Sequence, residues 1–189
     1  IHKQTWHGVY MSGVVRSKAR NHLLLEMALR CQKPALLFVK QVDHGTALCR
    51  ALLEAGLQTR FVEGDSSLKQ RENAAKQLEY RDVDVLVTTS VFQEGVDIPS
   101  LRAVINGAGG KSVIAALQQL GRGMRTDQGK KETFEYWDVL DTTDQGRIWL
   151  EKHAQARARA FAHEGHMVTK AVNAMGPWVP MKFRLRKNK

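Results

Sequence analysis

Two arginines three residues apart, Arg122 and Arg125, follow Gln118 in the stretch QQLGRGMR at 118–125. On a helix, Gln118, Arg122 and Arg125 fall on one side, while Val113, Leu117, Leu120 and Met124 form an apolar stripe on the other. Converging guanidinium forks suit a group whose negative charge is spread over several oxygens, a phosphoryl group above all. A solvated basic face has the same spacing, and spacing alone admits both readings. Gly121 and Gly123 would each cost about 1 kcal/mol against alanine inside a helix, so either something large approaches the backbone here or the helix ends.

A second group is TTSVFQEGVDIP at 88–99. Thr88, Thr89 and Ser90 put hydroxyls and backbone N–H groups at the carboxyl end of a strand, where anions bind in open α/β sheets. Gly95 lets a ligand approach the backbone, and the Asp97 carboxylate can accept a ribose hydroxyl. A polar turn capped by Asp97 explains the glycine and the proline but not the threonine pair. A third group, INGAGGKS at 105–112, follows a strand and precedes a helix. Ile105 stands where a GxxxxGK[ST] phosphate loop needs its first glycine, so this reads as a glycine-rich turn whose Lys111 attracts phosphate. HEGH at 163–166, with His153, lacks cysteine or further acidic partners and reads as surface; no metal site is expected. The tryptophans at 6, 137, 149 and 178 are open to core, interface or base-stacking roles.

These residues need a scaffold, and the hydrophobic pattern supplies one. ALLFV (35–39) and VDVLVTT (83–89) are continuous apolar runs rich in branched residues, as in strands buried on both faces. Further strands are expected at 57–64, 102–106 and 133–141. Helices are expected at 17–31, at 43–55 opened by Asp43, at 67–80 opened by Ser67 with Gln70 at capping-box spacing, and at 112–124 opened by Ser112. A long helix should run from after Thr143 to about Glu164, and MKFRLRK (181–187) fits an edge strand with one basic face or a solvated tail. The alternation predicts a three-layer α/β/α domain, a parallel sheet flanked by helices with ligands at the carboxyl ends of the strands, and a helical and basic C-terminal extension.

The whole chain agrees with such a domain. Its 189 residues are 43% hydrophobic and 25% charged, a globular balance that excludes a disordered chain. A net charge of +10 favours a polyanionic partner, nucleic acid being the commonest. Two cysteines, Cys31 and Cys49, make no disulfide framework, so a reducing compartment such as the cytoplasm is expected. No apolar run approaches the ~20 residues that cross a bilayer, and no membrane partner is expected. The start, IHKQTWHGVY, lacks both a signal pattern and an initiator Met and is read as lying within a longer protein.

Taken in order, ALLFVK, EGDSSLKQR (63–71), TTSVFQEGVDIP and QQLGRGMR resemble motif IV, the segment that follows it, and motifs V and VI of superfamily 2 helicases. Order and spacing agree across residues 13–141, and four ordered motifs are far more specific than any one. The resemblance implies the second RecA-like domain of such an enzyme over 13–142, with 1–12 as a linker from a first domain and 143–189 as an extension. It further implies that Arg122 and Arg125 are arginine fingers reaching ATP and Mg²⁺ held mainly by that first domain. Gln118, Gly95 and Asp97 would then lie near the nucleotide. Thr89 with Thr88, Lys40, Gln41 and Gly64 would lie along the nucleic acid, and Arg71 is open to a structural role. Glu94 stands where the DEAD-box form has arginine. The EGVDIP and QQLGRGMR wording looks more like the branch of restriction translocases and phage recombination helicases, which leans toward DNA over RNA. On this reading the present chain alone is inactive. Two other functions remain open: a non-enzymatic nucleic-acid-binding module on the same fold, and a self-contained NTPase using the GGKS turn.

Overall fold

A computed structural model describes residues 5–89, 98–111, 134–141, 147–170 and 179–184. Five short strands run parallel: β1 (Ala35–Phe38), β2 (Thr59–Val62), β3 (Val85–Thr88), β4 (Ala103–Asn106) and β5 (Glu135–Leu140). With β6 (Met167–Lys170) and β7 (Val179–Arg184) they form one sheet in the order β2-β3-β1-β4-β5-β7-β6. The apolar runs form the centre because β1, β3 and β4 are buried at every position. Such strands must be apolar on both faces, and they are.

Alternation along the strands divides the core into two layers. Leu37, Val85, Val87 and Ile105 face helices α2 (Lys18–Arg30) and α3 (Val42–Glu54) through Leu24, Met27, Leu48 and Leu52. Leu36, Phe38, Leu86, Val104 and Tyr136 face α4 (Leu68–Glu79) and α5 (Lys152–His163) through Ala74, Leu78, Ala154 and Phe161. Helices on both faces give the expected three layers. Each fully buried Leu, Val or Phe side chain contributes roughly 1.5–3 kcal/mol from water exclusion, so the two layers dominate stability.

Local signals explain most boundaries. Ser67 and Gln70 close the capping box: Ser67 N donates to Gln70 Oε1 at 2.8 Å and Gln70 N to Ser67 Oγ at 3.3 Å. Ser17 caps α2 by accepting from Arg20 N. Asp43 does not open α3 as expected. Gln41 takes the capping position without a side-chain bond, and Asp43 lies in the first turn, where the positive end of the helix dipole favours a carboxylate. Cys31 and Cys49 are both free thiols.

The C-terminal part differs from expectation in two ways. Within the expected long helix, the described residues are a π-helical turn, Arg147–Glu151, leading into α5, which stops at Gly165 with a φ of +81°. The basic segment is no edge strand where it is described: β7 lies inside the sheet, antiparallel to β5 on one side and β6 on the other. The chain reverses after Gly165, and β6 occupies the hydrogen-bonding edge that β7 would have left open.

Residues Trp6–Tyr10 (α1) and a π-helical turn, Met11–Val15, pack Val9, Tyr10, Val14 and Val15 around Leu150. Trp6 meets Trp149 edge-on at 6.3 Å and His153 at 5.0 Å between ring centroids. A Cβ at Gly13 would come within 2.9 Å of Leu150 Cδ1, so the Leu150 side chain packs directly on the backbone of this turn. The helix expected at 112–124 lies outside the described residues, as does Trp178. No described helix is long and apolar enough to cross a membrane.

Candidate functional site

The carboxyl ends of β1, β2, β3 and β4 all open on one edge, since these strands are parallel. The connection after β1 runs toward β2 and that after β4 toward β5, on opposite sides. This divergence makes a crevice between the ends of β1 and β4, where open α/β sheets take ligands. Gly107 sits in that crevice. A Cβ there would be 2.7 Å from the Phe38 carbonyl oxygen, so only glycine lets the two strand ends meet.

Residues singled out in the sequence gather along this edge. Lys40, just beyond β1, is exposed, and its amine lies 5.6 Å from the centre of the Tyr10 ring. Gln41 is half-buried beside it, Gly64 is exposed beyond β2, and Lys111 is exposed beyond β4. Thr88 is fully buried and donates its hydroxyl to Thr89 O at 3.0 Å, so that hydroxyl is already committed. The Thr89 hydroxyl is buried with no partner, an unmet polar group at the mouth of the edge. Arg71 is half-buried with an unpartnered Nε. Gln118, Arg122, Arg125, Gly95 and Asp97, together with Glu94, lie outside the described residues.

The GGKS turn is held by side chains. Gly109 and Gly110 both have positive φ, +59° and +86°. Gly109 N donates to Asn106 Oδ1 at 3.2 Å, so this N–H is turned back on its own strand instead of being offered to a phosphate. Asn106 Nδ2 reaches Asp138 Oδ1 at 3.2 Å, and Asp138 receives Arg157 Nε at 2.6 Å and Nη2 at 2.9 Å. The remaining arm of Arg157, Nη1, donates to Gly110 O. Tyr10 donates its hydroxyl to Ala108 O at 3.0 Å. Burial pushes the Tyr10 phenol up to about 12, and the nearby Arg20 pulls the other way, so the hydroxyl stays a donor.

Arg20 stands on the other flank of the same turn. It is fully buried, its Nε is 3.4 Å from Asp141 Oδ1, and none of its guanidinium nitrogens makes a hydrogen bond. Burial lifts Asp141 to about 6 despite Arg20. Burial, and then the charge of Arg20, press His44 down to about 4, so it is neutral and holds Asn21 Oδ1 through Nε2 at 2.8 Å.

Arg20, Arg157 and Tyr10 were not singled out by the sequence. One signal was available for Arg157. Ala154, Arg157 and Phe161, at spacings of three and four, share the buried face of α5, which puts an arginine on an apolar stripe. Chemically, the edge offers two exposed amines beside a rigid turn and one unsatisfied hydroxyl, a setting for an extended anion. Among the described residues no three His, Cys, Asp or Glu side chains group as metal ligands.

Comparison with known proteins agrees with this fold. Residues 19–127 match the model of the helicase conserved C-terminal domain. Putative helicase 22 of Sulfolobus islandicus filamentous virus is 29% identical over 148 residues, covering 76% of this chain and 26% of its own. The pre-mRNA-splicing ATP-dependent RNA helicase prp28 of Schizosaccharomyces pombe is 28% identical over 135 residues, covering 67% of this chain and 19% of its own. The chain thus spans about a quarter or less of these curated relatives. The crystal structure of T4 UvsW matches in fold with a TM-score of 0.63 at 20% identity, over 86% of this chain and 36% of that one.

Proposed function

This chain belongs to the helicase conserved C-terminal domain family, and on that premise we propose that it is the second motor domain of an ATP-dependent nucleic-acid helicase or translocase. The observation that carries the reading is the shared edge. Lys40, Gln41, Gly64, Thr89 and Lys111, picked from separate motifs, sit at the carboxyl ends of β1, β2, β3 and β4. Separate motifs that meet on one edge are what a common ligand requires.

ATP, with Mg²⁺, is the group this edge would face, held mainly by a first RecA-like domain elsewhere in the full-length protein; its hydrolysis supplies the driving free energy. The residues present fit such a neighbour, because Lys40 and Lys111 offer exposed amines on this edge. Arg122 and Arg125 act as fingers that stabilise charge growing on the transferred phosphoryl group, an effect worth about 10³–10⁵ in rate in related chemistry. Gln118, Gly95 and Asp97 border the nucleotide. Lys40, Gln41, Gly64 and Thr89 line the nucleic-acid track, where backbone contacts position the strand without reading its sequence. The +10 charge steers a polyanion toward the molecule.

The deciding experiment measures nucleic-acid-stimulated ATP hydrolysis by the full-length protein. Arg122→Ala is expected to lose about three orders of magnitude in kcat while keeping its affinity for nucleic acid. Turnover near wild type in that variant refutes the assignment. Running DNA and RNA side by side also tests the lean toward DNA, which rests on the EGVDIP and QQLGRGMR wording, while one relative is named as an RNA helicase.

A further inference from the structure

Three side chains converge on the backbone of the 107–111 turn from three elements. Tyr10 of α1 holds Ala108 O, Asn106 of β4 holds Gly109 N, and Arg157 of α5 holds Gly110 O. Two consecutive glycines with positive φ give this turn little stiffness of its own, so the tethers set its path. In the sequence, Gln118, Arg122 and Arg125 all follow this turn within 14 residues.

Two of these tethers, Tyr10 and Arg157, come from outside residues 19–127, the span matched by the helicase C-terminal domain. They also come from segments that pack on each other, through Leu150 with Val9, Val14 and Val15 and through Trp6 with Trp149 and His153. Arg157 is itself fixed, because Asp138 grips two arms of its fork and leaves only Nη1 to reach the turn. A planar fork held this way has one orientation, so its third contact is a positional constraint on Gly110.

We propose that Tyr10 and Arg157 are positioning residues for the arginine-bearing segment 118–125: clamped together beside the sheet, they fix the turn from which that segment departs and thereby set the rate of ATP turnover without touching nucleotide or nucleic acid. The proposal rests on the motor reading above and adds to it the two residues that aim the fingers. Misplacement of a catalytic group by about 1 Å costs on the order of 10²-fold, so loosening the turn lowers kcat and leaves ground-state binding alone.

The test uses the full-length protein, with kcat and KM for ATP, Kd for a nucleic-acid strand and the melting temperature measured together. Tyr10→Phe removes one hydroxyl and keeps the ring. Arg157→Lys keeps the charge facing Asp138 and loses the fork. Both are expected to lower kcat, by about fivefold and about 30-fold, with KM and Kd within about twofold of wild type. Leu52→Ala, on α3 in the core layer outside the apolar cluster of Tyr10, is the control. It should lower the melting temperature at least as much as Tyr10→Phe and leave kcat unchanged.

Wild-type kcat in Tyr10→Phe overturns the proposal, and so does an equal loss of kcat in Leu52→Ala. If Arg157→Lys does not fold, Tyr10→Phe decides alone. Arg122→Ala is assayed in parallel. An inactive Arg122→Ala beside normal Tyr10→Phe and Arg157→Lys removes the tether and keeps the motor reading, whereas an active Arg122→Ala removes both.

Discussion

The crevice edge is braced from two flanks, and the braces are built differently. On the side of α5, Arg157 meets Asp138 with two short hydrogen bonds, spends its last arm on Gly110 O, and is 1% exposed. On the side of α2, Arg20 is sealed just as completely, yet its guanidinium approaches Asp141 at only 3.4 Å and makes no hydrogen bond. Equal burial has therefore produced unlike pairs. Arg157 is a geometric clamp, and its charge is also felt by Tyr136, Asp141 and His153. Arg20 acts as a field, whose charge is felt by His44, Asp141 and Tyr10. Hydrogen-bond geometry, more than depth, decides whether a buried cation anchors a structure or only polarises it.

The largest expected effect breaks the well-made brace. Arg157→Leu leaves Asp138 buried without a counterion and should cost about 3–5 kcal/mol in chemical denaturation. Replacing both partners by Leu and Met should recover most of that loss. If the double variant is no better than the single one, the cost lies in packing and the contrast between the pairs disappears.

His44 gives the next effect, because burial and then the charge of Arg20 depress its pKa. Its pKa in the fold, about 4, lies below the ordinary value of 6.5. The unfolded chain therefore binds the extra proton between those values, and stability present above pH 6.5 is lost as pH falls through 4. Asp141, raised to about 6, works in the opposite sense, since the fold holds its proton and loses stability as pH rises from about 4 to 6. His44→Gln removes the first effect alone. Its stability relative to wild type should improve on acidification from pH 7 to pH 4, by on the order of 3 kcal/mol, when melting is followed across that range. A constant difference at all pH values contradicts the buried, neutral histidine.

The smallest effect belongs to Arg20 itself. With no hydrogen bonds to lose, Arg20→Met should cost about 1–2 kcal/mol at pH 6, well under Arg157→Leu. The cost should grow toward pH 8, because Asp141 must then ionise without its cation or keep a proton against the solvent. A loss as large as that of Arg157→Leu at pH 6 would make the two braces equivalent.

Much of the scaffold was legible because its physics is local. ALLFV and VDVLV are apolar at every position, and only a strand covered on both sides uses such a run, so β1 and β3 were readable. Ser67 and Gln70 marked a helix start through hydrogen bonds made within one turn. What depends on distant partners was not readable. The alternation in MKFRLRK indicates a strand but not its neighbours, and the short β6, twelve residues or so earlier in the chain, turned an expected edge into an interior position. Asp43 was misplaced because a carboxylate is favourable both at the cap and one turn inside it. The positions of Lys40, Gln41, Gly64 and Lys111 beyond strand ends were readable because each follows an apolar run in the sequence. The bonds that hold the 107–111 turn join Tyr10 and Arg157 to residues 98 and 47 positions away, and no window of sequence contains them.

The glycine at position 107 has a mechanical side. With the Phe38 carbonyl where a side chain would begin, the tips of the two central strands are in backbone contact, and there is no slack between them. A load arriving at that junction passes straight into the sheet instead of being absorbed by a yielding side chain. In the proposed motor, a stroke applied at this lip would carry the entire slab along with it, like a key turned by its bow.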